Sequence, residues 1–381
     1  MSWEIYAAQP LSRKIYTLEV QVSDPANPTA ERETLYFSSD AIDPALCEFY
    51  HAPCIKSLPV LTRSVQALTL GRTVATYGNC ALITASGHLD DSIRNRDFAG
   101  APVSIKLGFG GLNNSEFKEI FSGRVGPKPA WDDVKLTLPL VDGVRDLLDK
   151  KIGSDKNLSG TLPTVVSGLL DDAGIVPEKR DSAFWDAWAT ENNFNVWLPV
   201  TKNQSVGSVL DILLAPLGCW FGFSRAGLFR VSTFAAPVAE ADPVLNLSDI
   251  ELFKFNEADH GKRYWKISVV YYSATGDNAD TAERSWEDSA LHDANPSAEE
   301  VTKKTALTSS TDADTIRDRW KDLFSVRRLV ASCTAHIELF ALNIGDHVRV
   351  TRDRLDVDHV YRVQKISDDM TKNQVKLELF R

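Results

Sequence analysis

The sequence predicts an α+β protein that is predominantly β: two barrel- or sandwich-like β domains with a helix-hairpin unit inserted between them. Two observations carry this. Runs of alternating apolar and polar residues recur on both sides of position 200, the period-2 pattern of strands with one buried face. Between them, residues 201–231 (TKNQSVGSVLDILLAPLGCWFGFSRAGLFRV) read as one helix feeding one tight hairpin. A chain of 381 residues exceeds one ordinary domain, so the division expected is 1–152, 153–236 and 237–381.

In chain order, 14–22 and 33–38 are strand-like, joined by the turn-rich SDPANPTAE. Residues 41–50 form a short helix or irregular turn; 64–69, 79–85, 103–109 and 117–125 continue the strands. The glycine-rich GFGGLNN at 108–114 lies between two strands, so a hairpin loop is favoured over a phosphate loop, which needs a following helix. After the alternating KLTLPL, Asp142 can cap a helix over 143–152. A second helix over 162–173 carries Pro163 in its first turn and Gly174 beyond its last. In the central unit Ser205 is the expected N-cap, and Val206, Val209, Leu210, Leu213, Leu214 and Leu217 fall on one face. Pro216 and Gly218 end the helix, and Arg225-Ala226-Gly227 turns the hairpin.

Residues 236–243 read as a linker, 263–273 as a long strand, and 274–300 as a long, polar, acidic loop. A helix is expected over 311–327, with Ala313, Ile316, Trp320, Leu323, Phe324 and Arg327 along its apolar side. The chain closes with strands over 329–340, 347–351, 361–366 and 374–380, turning at Asn343-Ile344-Gly345-Asp346 and over 368–373.

Composition narrows the function. The net charge of −10 argues against a dedicated nucleic-acid binder, which needs cations to displace counterions. The stretch 238–300 holds 14 Asp/Glu against 5 Lys/Arg, read as a solvated acidic region or as a field that repels a polyanion. No apolar run reaches the roughly 20 residues of a membrane-spanning helix, and MSWEIYAAQPLSRK lacks a signal-peptide pattern. Five cysteines without CxxC pairing read as reduced and partly buried. Cys47, His51 and Cys54 are too loosely spaced, and lack a fourth ligand, for a zinc site. Seven scattered histidines, no Gly-x-Ser-x-Gly elbow, no HExxH and no Walker loop leave no catalytic, cofactor-binding or metal residue to single out.

The order of segments resembles the tail (baseplate) hub proteins of tailed bacteriophages. The resemblance rests on 81–107, on 120–152 (IFSGRVGPKPAWDDVKLTLPLVDGVRDLLDKKI), on the helix-hairpin of 195–231, and on 311–381 with Ile344-Gly345-Asp346-His347-Val348. It implies two tail-tube-like β domains whose homotrimer presents a pseudo-sixfold ring to a hexameric tube. It also implies a structural, non-enzymatic role at the virion's tail tip, assembled in the host cytoplasm. The partners it implies are the tail tube or distal tail protein, a central fibre or spike, and the tape-measure protein. DNA would pass through the lumen without specific binding, and nothing would insert in a membrane. Two family features are missing: a cysteine-rich cluster-binding segment, and fibre or lytic domains after Arg381, so receptor binding or wall cleavage would fall to partners. The competing expectation is a carbohydrate-binding protein or glycosidase using Phe184, Trp185, Trp188 and Trp197 with an unseen carboxylate pair.

Overall fold

In the computed structural model the residues described are 13–27, 29–65, 70–235, 245–247, 252–257, 263–276, 279–326, 328–336, 342–352, 357–370, 372 and 374–381. The linker expected over 236–243, the strand residues 66–69 and 337–340, and Arg327 lie outside them. The fold is mainly β with shorter helical insertions, as the patterning predicts.

The chain opens with β1 (Lys14–Val22), β2 (Glu33–Ser38), β3 (Ala52–Pro53), β4 (Ile55–Ser57), β5 (Val60–Ser64), β6 (Gly71–Arg72), β7 (Val74–Thr76) and β8 (Asn79–Ile83). There follow β9 (Pro102–Phe109), β10 (Lys118–Val125), β11 (Ala130–Trp131) and β12 (Lys135–Val141). The middle holds β13 (Lys156–Thr161), β14 (Asn195–Val200), β15 (Cys219–Phe223) and β16 (Phe229–Thr233). The last part carries β17 (Leu245–Leu247), β18 (Leu252–Glu257), β19 (Tyr264–Ala274), β20 (Asp280–Glu287) and β21 (Glu299–Lys304). It ends with β22 (Leu329–His336), β23 (His347–Arg352), β24 (Val357–Asp369) and β25 (Gln374–Phe380).

The first, nearly closed barrel runs β3-β2-β1-β9-β10-β12-β8-β4, with β11 added beside β12. Alternation fixes its inside: Leu18, Val20, Ile105, Leu107, Leu136 and Leu138 point into the core. The second runs β17-β23-β24-β25-β22-β18. These two paths repeat one topology. In each, two consecutive strands (β3/β4 and β17/β18) stand at opposite ends. The order β4-β8-β12-β10-β9 corresponds strand for strand to β18-β22-β25-β24-β23, antiparallel throughout. The opposite end is a parallel pair in both, β2 with β3 and β23 with β17. The difference is that β1 and β2 are interposed only in the first. A duplication that short degenerate sequence motifs cannot reveal is plain in the pairing.

Each barrel also has an insertion at the same point of its path. Between β4 and β8 the chain leaves the first barrel: β5 pairs with Lys365–Asp369 of β24, and β6 pairs in parallel with β15 of the hairpin. The segment 1–152 therefore does not stay within one sheet. Between β18 and β22 lies a three-stranded sheet, β20-β19-β21, covered by the Ser310–Phe324 helix. This corrects the loop expected over 274–300, which holds β20, the Ser289–Ala294 helix and the start of β21. Most side chains of β20 face solvent, so the strand shows no apolar alternation and leaves no period-2 signal.

Local signals held well where the structure is local. Ser205 Oγ accepts from Ser208 N–H at 3.1 Å, and the Val206–Leu214 helix with the 3-10 turn Ala215–Leu217 buries the predicted residues. Gly218 closes the following turn in a left-handed conformation, φ +77°. Asp142 caps the Gly143–Asp149 helix by accepting from Val144 N–H at 3.1 Å. The GFGGLNN stretch is a hairpin loop in which the Phe117 ring occupies the space a side chain on Gly108 would need.

On the Ser310–Phe324 helix, Trp320 is fully buried, stacks against Phe324 at 5.4 Å and donates to Pro216 O at 2.8 Å. The ammonium of Lys303 sits 3.7 Å from its ring centroid. Trp320→Ala removes all of this and should lower stability by about 3–5 kcal/mol. Urea unfolding followed by circular dichroism checks it; an unchanged midpoint would mean the helix is not docked as described.

Candidate functional site

Among the described residues a buried polar junction, built from residues far apart in sequence, joins the β15–β16 hairpin to both barrels. The turn of the β15–β16 hairpin projects Arg225 toward the second barrel. Arg225 forms a fork on Asp368 of β24, with Nη2 donating to Oδ1 at 2.9 Å and Nη1 donating to Oδ2. Its Nε donates to Leu342 O at 2.9 Å, and its backbone N–H donates to Asn343 Oδ1 at 3.2 Å. A second guanidinium, Arg63 of β5, lies 3.9 Å from the same carboxylate. The Asp368 side chain is 0% exposed and the two arginines 5% and 6%.

The network continues into the first barrel. Arg63 Nε donates to Tyr77 Oη at 3.2 Å, and Tyr77 Oη donates to Asp142 Oδ2 at 2.9 Å. Asp142 is also the helix cap, so one carboxylate closes the first barrel's last turn and terminates the relay. Burial raises the Asp142 carboxyl above its usual range, opposed by the Tyr77 hydroxyl and Arg63; burial also raises the Tyr77 phenol. Two buried cations thus face two buried carboxyls, the balance a dry site requires. Close backbone approach completes the junction. Gly345, at φ +89°, brings the chain against the Trp220 ring, 2.7 Å from where a Cβ would stand.

Other arginines tie neighbouring units together. Arg230 of β16 pairs with Asp181 at 2.7 Å and lies 4.2 Å over the Phe184 ring. Arg319 of the Ser310–Phe324 helix donates to Leu217 O at 2.7 Å and Asn192 Oδ1 at 2.9 Å. Arg362 of β24 donates to Thr233 O at 2.8 Å, and burial lowers its guanidinium to about 10.

The residues weighed for chemistry are placed differently. Trp188 is buried and donates to Cys219 Sγ at 3.4 Å; Trp185 packs on it at 5.4 Å beneath Arg180. Trp197 meets Tyr272 edge-on at 4.8 Å. These rings pack against other elements and do not line up as a sugar platform. His51 is buried and donates its Nδ1–H to Phe49 O at 2.8 Å. Among the described residues no three His, Cys, Asp or Glu side chains gather as a metal site. All five cysteines are thiols outside any disulfide, and burial pushes Cys54 up to about 11 and Cys80 up to about 12. No described helix is long and apolar enough to cross a membrane.

The fold as a whole recurs among solved structures. It is shared with tail proteins, one of them from a prophage. A tail protein from Neisseria meningitidis MC58 superposes with a TM-score of 0.51 at 13% identity, over 96% of each chain. The 43 kDa tail protein of prophage MuSo2 from Shewanella oneidensis gives 0.51 at 14% identity, over 96% of this chain and 98% of that one. No protein-family model matches the sequence, and no curated protein matches it significantly. The tail-protein fold therefore extends over nearly the whole chain, at a sequence distance where only topology persists.

The junction makes a direct prediction. Asp368→Ala leaves Arg225 and Arg63 buried without their counter-charge and should cost about 3–5 kcal/mol. Adding Arg225→Met removes one stranded cation, so the double variant should be more stable than Asp368→Ala alone. A double-mutant cycle by urea unfolding measures this; additive losses would show that the two side chains are not coupled.

Proposed function

We propose that this chain is a structural protein of a phage tail, acting as the baseplate hub that joins the tail tube or distal ring to a central fibre or spike. The observation that carries the reading is the repeated strand order of the two barrels within one chain. Three copies of a chain with two equivalent barrels supply six similar units, which lets a threefold assembly meet a sixfold tube. In this reading the first tube-like domain is drawn from 1–152, the insertion from 153–236 and the second domain from 237–381, with β5 and β7 lent to the second barrel. The likeness over nearly full length to tail proteins supports the assignment. The buried junction supports a rigid scaffold over an enzyme: its ionisable groups are consumed in holding barrels together. The net charge of −10 suits a conduit past which duplex DNA moves without sticking.

Electron microscopy of the purified protein tests the proposal. The expected image is a homotrimeric ring with six lobes around a central hole wide enough for duplex DNA. Compact monomers without a lumen, at all concentrations tried, would contradict it.

A further inference from the structure

The strand-for-strand correspondence of the barrels can be pushed one step further, to the hairpins that equivalent strands form. In the second barrel, β24 turns back into β25, and the β24 half of that hairpin is embedded. Its outer edge is covered by β5 over Lys365–Asp369. Asp368 receives Arg225, and Tyr16 of the first barrel donates to Met370 O at 3.3 Å. Ile366 is 1% exposed and Met370 3%. That hairpin is thus the plug by which the second barrel seats in the rest of its own chain.

The equivalent hairpin of the first barrel is β10–β11 turning into β12. Ala130 and Trp131 pair with Thr137 and Leu136 on one edge. Among the described residues no strand pairs with the other edge, the one that β5 covers in the second barrel. Residues 130–135 are all exposed, Trp131 at 62% and Val134 at 52%, and Ile83 of β8 is exposed nearby at 41%. A large aromatic side chain held out on a paired strand is the composition of an interface centre.

We infer that the Trp131 hairpin is a docking plug for a second copy of this chain, received by that copy's second-barrel side. The occupant follows from the duplication. The excursion whose β5 covers the second barrel's hairpin leaves the first barrel between β4 and β8. The matching insertion, 264–324, leaves the second barrel between β18 and β22. Each hairpin then meets the insertion of the other kind of barrel: within the chain for one, across a subunit boundary for the other. Such a contact is head-to-tail, and three copies close it into a ring of six alternating junctions.

The inference rests on the homotrimer reading, and one experiment separates their failures. Wild type, Trp131→Lys and a control at another exposed aromatic, Tyr50→Lys (79% exposed), are compared as full chains by sedimentation velocity. Circular dichroism verifies folding. The expected result is a trimer for wild type and Tyr50→Lys, with association weakened roughly 30-fold or more in Trp131→Lys and unfolding midpoints alike. A trimeric Trp131→Lys at wild-type strength overturns the plug and leaves the trimer standing. Equal loss in Tyr50→Lys overturns the assignment to this hairpin. A monomeric wild type overturns plug and trimer together.

Discussion

One carboxylate, Asp368, holds three parts of the chain in register. It takes the fork of Arg225 from the hairpin and lies beside Arg63, which the first barrel sends across on β5. None of the three could be buried alone, because an ion without its partner in a dry site costs several kcal/mol. The hairpin turn, the β5 excursion and the β24–β25 hairpin are therefore placed together or not at all. The apolar surroundings, Trp220, Ile344 and Ile366, supply the burial energy; the ions supply the specificity of approach.

That constraint explains the covalent path. Two equivalent barrels connected by a single linker would move relative to one another as ordinary domains do. Here the chain crosses from the first barrel to the second and back between β4 and β8, adding β5 to β24 through five backbone pairings. Tyr77, between β7 and β8, then carries the ion network home to Asp142. Backbone ladder and buried charges act on the same interface, so the angle between the barrels is fixed by both. The hub role proposed above would need that fixity.

How much of this was legible in the sequence depends on distance along the chain. The helix from Val206 to Leu214 and its hairpin were readable because cap, stripe, Pro216 and Gly218 lie within a few residues of one another. Val375, Leu377 and Leu379 likewise announced β25 by alternation. The junction was not readable: Arg225 and Asp368 are 143 positions apart, Thr62 and Ser367 are 305 apart, and each looks like an ordinary surface residue in isolation. Edge strands were the other blind spot. In β20, and in the two- and three-residue strands at the barrel seams, burial is too slight to impose a pattern. The duplication itself lives in pairing order, which a sequence without recognisable repeats does not display.

If the junction makes the two barrels one cooperative body, their cores must open together. Native-state hydrogen exchange reads this directly, since amides released by a common unfolding event share one free energy of opening. The account predicts equal values for the slowest amides of β9 in the first barrel and β25 in the second. A first barrel that opens at about 2 kcal/mol or more below the second would contradict it.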